Sequence, residues 1–201
     1  MKKIAKILCT CMILLFAMSI FSDRQTLSEN LIRLHVVANS DSAVDQRLKL
    51  KVRDAVVAHL QPVMDDLQSQ ADAKAYLNAH LAELEQIANQ TLLEAGCLDK
   101  ATVSLQKEAF PVRHYDTFSL PSGVYQSLRI TIGEGEGHNW WCVVFPSLCL
   151  PAAGETMEDT AAGAGFSDGL SGALEGEQPY QVRFFLLDLL GKVQNFFQSF
   201  V

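Results

Sequence analysis

Residues 123–146 constrain this chain more than any other stretch. An alternating strand, with Val124, Leu128, Ile130 and Ile132 on one face, runs into Gly133-Glu134-Gly135-Glu136-Gly137-His138-Asn139. A second strand, Trp140-Trp141-Cys142-Val143-Val144-Phe145, runs out of it. Glycine at every second position lets a backbone turn tightly or approach another one closely. Loops held between packed strands carry recognition more often than the strands do. The second strand has no polar face, which predicts a position that is central or covered on both sides. Adjacent residues on a strand point to opposite faces, so one of Trp140 and Trp141 fills a core. Unless the helices or the tail cover it, the other lies near the surface beside loop acids and Asn139, a composition suited to a protein-binding hot spot; the apolar strand equally fits both Trp residues buried in a two-sided core.

The rest of the chain supplies layers to pack on these strands. Ile32, Leu34 and Val36 alternate with Arg33, His35 and Val37, which predicts a strand over residues 31–38. Ser42 with Asp45 three residues on resembles a capping box. Val44, Leu48, Val52, Val56 and Leu60 then recur at helical spacing, with Pro62 expected to end or kink the helix. Ser69 and Asp72 repeat the cap. Tyr76, Leu77, Leu81, Leu84, Ala88 and Leu92 mark a second helix, closed by Gly96. Ala101, Val103 and Leu105 alternate as another strand, residues 110–115 are extended or irregular, and Pro121-Ser122-Gly123 is a turn. The fold class is α/β, with α+β character. It is a single two-layer domain, a small mixed sheet of about four strands with two amphipathic helices on one face.

The two ends differ from this body. Lys2, Lys3 and Lys6 precede an apolar run over residues 7–21, the pattern of an export signal. The run is short of the roughly 20 residues of a spanning helix, and Ser19 or Ser22 would end a cleavage site. Residues 1–22 therefore read as a signal peptide or an uncleaved membrane anchor. Residues 23–150 are the folded domain. Residues 151–181 are rich in Gly, Ala and acids without periodicity, which predicts a disordered linker. Residues 182–201 are very apolar. They are read as beginning in a strand over 182–186 and continuing as a helix with Gly191 as a weak point; docking on the domain is the base reading, with lying on a membrane surface or binding a partner as the alternatives.

Charge and residue chemistry narrow the function. The net charge is −7 although the N-terminal lysines supply three of the sixteen bases. Such an acidic balance argues against nucleic acid. An exported chain persists where disulfides form, and Pro146 bends the chain between Cys142 and Cys149, so these two are expected to bridge. Cys97 reads as a buried thiol. A Cys-His nucleophile pair from Cys142 and His138 needs a free thiol, and a metal held by His138, Glu134 and Glu136 lacks any recognised ligand spacing. The glycine loop lacks the Lys and Ser or Thr of a phosphate loop. His35, His59 and His80 read as satisfied structural residues, and Arg113-His114-Tyr115 as an unspecific contact. The reading is a binding protein with no catalytic residues, no metal and no cofactor. Its partner surface is expected at Glu134, Gly135, Gly137, His138, Asn139 and Trp140. The alternative is an exported Cys/His or metal-dependent hydrolase.

Two motifs also carry a resemblance. Leu31-Ile32-Arg33-Leu34-His35-Val36-Val37-Ala38-Asn39-Ser40-Asp41-Ser42 with Asp45-Gln46 and Leu48-Lys49-Leu50-Lys51-Val52-Arg53-Asp54 is the first. Residues 123–135, then Gly137-His138-Asn139-Trp140-Trp141-Cys142-Val143-Val144-Phe145-Pro146 and Leu148-Cys149, form the second. Over residues 31–150 the chain resembles the stage II sporulation protein R family of endospore-forming Firmicutes. The resemblance implies a signalling protein made in the forespore and exported into the space between the two septal membranes. There it would trigger a membrane-embedded aspartic protease of the mother cell, which cuts the pro-sequence from the precursor of sigma E. It implies no established binding residues. The membrane enters through the N-terminal segment if that segment is uncleaved.

Overall fold

A computed structural model of the protein describes residues 2–115, 118–147, 170, 174 and 181–198. In chain order the elements are α1 (Lys2–Asn30), β1 (Ile32–Val37), α2 (Ala43–Asp66), α3 (Gln70–Glu94), β2 (Ala101–Phe110), β3 (Arg113–His114), β4 (Ser119–Leu120), β5 (Gly123–Ile132), β6 (Asn139–Phe145) and α4 (Gln181–Gln198). They fall into two compact units, one built around Asn30–Glu108 and the chain from Tyr125 through β6, the other around α1, residues 109–124 and α4.

The first unit is the expected two-layer α/β domain. Its four-stranded sheet has the order β2-β5-β1-β6. Strand β1 is parallel to β5 and antiparallel to β6, so the sheet is mixed. Every residue of β1 is buried. The period of two sends Ile32, Leu34 and Val36 to one face with Leu128, Ile130 and Ile132. Leu48, Val52, Val56 and Leu60 of α2 and Leu77, Leu84, Ala88 and Leu92 of α3 join them in one core. Each such Leu, Ile or Val contributes about 2 kcal/mol on removal from water.

The helix ends follow the sequence signals. The Asp45 backbone N–H donates to Ser42 Oγ at 3.0 Å, and the Asp72 N–H to Ser69 Oγ at 3.2 Å. Gly96, at φ +76°, lets the Cys97 N–H reach Leu92 O at 2.9 Å and its own N–H reach Leu93 O at 2.9 Å. Pro62, expected to end or kink α2, lies inside it, and the helix continues to Asp66. Leu60 and Met64 are both buried on the core, and their burial outweighs the donor lost at Pro62. The apolar strand β6 is not central. It forms one edge of the sheet, with Asn139 and Trp140 exposed and Cys142 to Phe145 buried.

In the second unit, β3 and β4 pair antiparallel, Arg113 with Leu120 and His114 with Ser119. Residues 110–115 are thus partly an ordered ribbon. Val182–Leu186, read as a strand, is instead the start of α4, one helix throughout. Its inner side carries Leu187, Asp188 and Gly191, all buried. Asp188 accepts from the Ser122 N–H at 3.0 Å and from Ser122 Oγ at 2.6 Å. A Cβ on Gly191 would stand 1.6 Å from Ser122 O, so this glycine is a point of close approach and not a weak point in the helix. Most of the linker expected over 151–181 lies outside the described residues; of those described, Leu170 and Leu174 are helical and buried.

Candidate functional site

The two sequence motifs meet at one end of the sheet. Strands β1 and β5 are parallel, so the segment leaving β1 (residues 38–42) and the loop leaving β5 (residues 133–138) emerge side by side. In α/β sheets this end of the parallel strands is where ligands and partners are met. The two segments bind each other through their backbones. The Glu136 N–H donates to Asn39 O at 3.1 Å and the Gly137 N–H to Ala38 O at 2.9 Å. The Glu134 N–H donates to Asn39 Oδ1 at 3.0 Å. The His138 N–H donates to Asp41 Oδ1 at 2.6 Å, and its Nδ1 also meets that oxygen.

The glycines are what this approach requires. A Cβ on Gly133 would stand 2.2 Å from Asn39 Oδ1, and one on Gly137 would stand 2.3 Å from the backbone oxygen of Ser40. Beneath the loop, the start of α2 completes the clasp. Ser40 Oγ donates to Asp45 Oδ2 at 2.5 Å, and Asn39 Nδ2 to the same oxygen at 3.3 Å. Lys49 is buried on α2 and donates to His138 O at 2.8 Å and Gln46 Oε1 at 2.5 Å. Burial lowers the Lys49 pKa, opposed by the charge of Asp41. The hydrogen bonds from His138 hold Asp41 below its ordinary value, and that from Ser40 does the same for Asp45.

The expected partner-facing residues divide accordingly. Glu134 and His138 present exposed side chains from a loop whose backbone is fixed, as does Glu136, which was not among the expected residues. Gly135 and Gly137 serve the packing of the loop. Trp140 is 37 % exposed, and the Arg53 guanidinium lies over its ring at 4.2 Å from the centroid. Asn139 faces elsewhere: its Oδ1 lies 2.9 Å from His35 Nε2.

That contact belongs to a polar cluster on the sheet face opposite the helices. His35 Nδ1 lies 3.2 Å from each Glu108 carboxylate oxygen. Arg129 Nη1 donates to Glu108 Oε1 at 2.6 Å, and Trp141 sits 5.4 Å from the His35 ring. Burial would raise the Glu108 pKa, but hydrogen bonds from His35 and Arg129 outweigh it and hold it down to about 2. A carboxylate so engaged stays ionised and is poorly matched to acid–base work near neutral pH. His35 is the satisfied structural histidine the sequence suggested.

Chemistry at Cys142 is closed in another way. Cys142 is disulfide-bonded, so it offers no thiol nucleophile to His138. Its expected partner, Cys149, lies outside the described residues. Cys9, Cys11 and Cys97 are free. His138 engages Asp41, and among the described residues no group of three or more His, Cys, Asp or Glu side chains is placed to hold a metal. Asn39, Asp41, Asp45, Lys49, Glu108 and Arg129 were not legible as parts of one site. The sequence signals for the first four were the capping pattern at Asp45 and the first motif, which holds Asn39, Asp41, Asp45 and Lys49; neither places them beside the loop after β5, almost a hundred residues away.

Fold and site together define a mixed α/β domain that follows a long apolar N-terminal helix and bears a glycine-closed clasp at one sheet end. The sequence profile of the family described as "Stage II sporulation protein R" matches residues 28–155, and the chain belongs to that family. The match includes both clasp segments. A relative, "Stage II sporulation protein R" of Bacillus subtilis (strain 168), is 40 % identical over 119 residues, 59 % of this chain and 53 % of that protein. The aligned part thus spans about half the relative's length. No solved structure matches the chain.

Proposed function

We propose that the protein is an exported signalling protein of endospore formation that acts by binding and is not itself an enzyme. Its partner is the extracytoplasmic part of a membrane-embedded aspartic protease of the mother cell, which then processes the precursor of sigma E. Family membership and the resemblance of both motifs support the role. The apolar helix α1 fits export from the forespore into the septal intermembrane space, as a signal or an anchor.

One observation carries the binding mode. The loop from Gly133 to His138 spends its backbone groups on the segment after β1, leaving Glu134, His138 and the edge of Trp140 as exposed groups on a rigid base. A preformed surface of this kind binds without an ordering cost. Binding activates if the surface fits the active state of the protease better than the inactive one. A Cys142–Cys149 bridge would tie the middle of β6 to the chain beyond it.

The test is activation in vesicles holding the protease and its precursor substrate. Replacing Glu134, His138 and Trp140 together by Ala is expected to lower activation at least tenfold, about 1.4 kcal/mol or more of binding energy, with the urea midpoint of the domain little changed. Full activation by this folded triple variant would refute the assigned surface.

A further inference from the structure

The second compact unit has an uncovered apolar surface that its own sequence does not explain. Helix α1 is one continuous helix with two unlike halves. In the first half Ile4, Ile7, Leu8, Met12, Leu15 and Met18 are all more than 60 % exposed. From residue 20 onward the helix is docked: Ile20, Asp23 and Leu27, one face at helical spacing, are 2 %, 7 % and 1 % exposed.

Helix α4 lies against that docked half. Arg183 pairs with Asp23 at 2.5 Å and donates to Ser19 Oγ at 3.0 Å. Arg24 Nη1 reaches Leu190 O at 3.4 Å. On its inner side Asp188 and Gly191 meet Ser122, and Asn195 Nδ2 donates to Phe110 O at 2.8 Å. Its outer side shows Phe185, Leu189, Val193, Phe196 and Phe197 to solvent, at 63 %, 46 %, 48 %, 61 % and 66 %. The helix's charges are Arg183, Asp188 and Lys192. The first is spent on Asp23, and the other two on each other at 2.8 Å. A contiguous face of large apolar groups, with the exposed Lys192 at its border paired to Asp188, is the mark of an interaction site.

The position of that face says what covers it. Arg183 ties the start of α4 to Ser19 and Asp23, the turn where the uncovered apolar half of α1 ends. If the first half of α1 lies in a bilayer, α4 starts at the level where the chain leaves it. Lys2, Lys3 and Lys6 set the other end of α1 on the cytoplasmic side. We propose that this unit is seated in a membrane: α1 stays on the exported chain as an anchor, and α4 lies in the outer interface of the same bilayer with Phe185, Leu189, Val193, Phe196 and Phe197 among the lipids. The region around Ser19 to Ser22, where a signal peptide would be cut, is helical and held by Arg183 and by burial of Ile20, unlike the extended chain a peptidase needs. Because α4 lacks the cationic face of most interfacial helices, its seating depends on apolar burial and is insensitive to lipid charge and salt.

The proposal concerns lipid contact and stands or falls separately from protease activation. The full chain, with Cys9, Cys11 and Cys97 replaced by Ser, is placed in vesicles of phosphatidylcholine alone. Nitroxide labels are attached in turn at Val193→Cys, Phe196→Cys and Gln194→Cys, the last exposed but on the opposite side of the helix from Phe185 and Phe196. The ratio of oxygen to nickel-chelate accessibility is expected to be at least about threefold higher at positions 193 and 196 than at 194, and unchanged when anionic lipid is added. Equal ratios at the three positions would overturn the seating of α4. Dipolar broadening between labels on separate chains would overturn it in favour of a second copy as the occupant. The intact mass of the chain recovered after export is expected to include residues 1–22; a product starting near residue 20 or 23 would overturn the anchor.

Discussion

Gly137 shows how much a single missing side chain decides. Its Cβ would collide with the backbone of Ser40, which cannot turn aside as a flexible side chain could. Gly137→Ala is expected to cost about 2 kcal/mol or more in urea unfolding, as the loop must part from residues 38–41. Gly96→Ala meets nothing within 4 Å and strains only a positive φ, so about 1 kcal/mol is expected there. The alternating glycines were legible in the sequence, but the reason for them was not: it depends on Asn39 and Ser40, which no local pattern places beside them. Glu108 makes a second case at this scale. Its pKa is depressed from 4.5 to about 2 in the folded protein, so its contribution is full above pH 4.5 and is lost as pH falls toward 2. Allowing for solvent around Arg129, that contribution is on the order of 2 kcal/mol. The stability gap between the parent and Glu108→Gln is therefore expected to be full at pH 7 and to narrow steadily below pH 4.5. A gap that stays constant to pH 2.5 would count against this ion pair.

Among the elements, periodicity told more than composition. Helices α2 and α3 followed from apolar spacing and from the Ser42 and Ser69 caps, signals contained within a few residues. Pro62 does not end α2 because a local rule met a tertiary force: Leu60 and Met64 anchor the last turn of α2 in the core. Pro62→Ala restores a backbone donor without moving those anchors, and is expected to raise stability by about 1 kcal/mol, read as a higher urea midpoint. The run from Val182 to Leu186 reads equally as strand or helix by apolar content. Its phase is settled only by Leu187, Gly191 and Asn195, whose contacts lie far away in sequence. Strand β6 carried a different ambiguity, between a central position and a covered edge. An unbroken apolar run says that a strand is covered, not that it has neighbours on both edges.

For the molecule as a whole, the class of fold was legible and its wiring was not. The layer count follows from alternating strands and amphipathic helices, but the order β2-β5-β1-β6 rests on pairing β1 with strands about a hundred residues later. That pairing is what brings the two family motifs into one clasp, and with it the surface formed by Glu134, His138 and Trp140. The His35–Glu108–Arg129 cluster arises from the same topology. In the proposed function the clasp end of the sheet faces the protease. Site-specific photocrosslinking tests it most directly, with the crosslinker placed at His138 and, as a control, at Glu83 on the exposed side of α3. A crosslink to the extracytoplasmic part of the protease is expected from position 138 and none from 83. Crosslinking from 83 with none from 138, in chains that activate the protease equally, would contradict it.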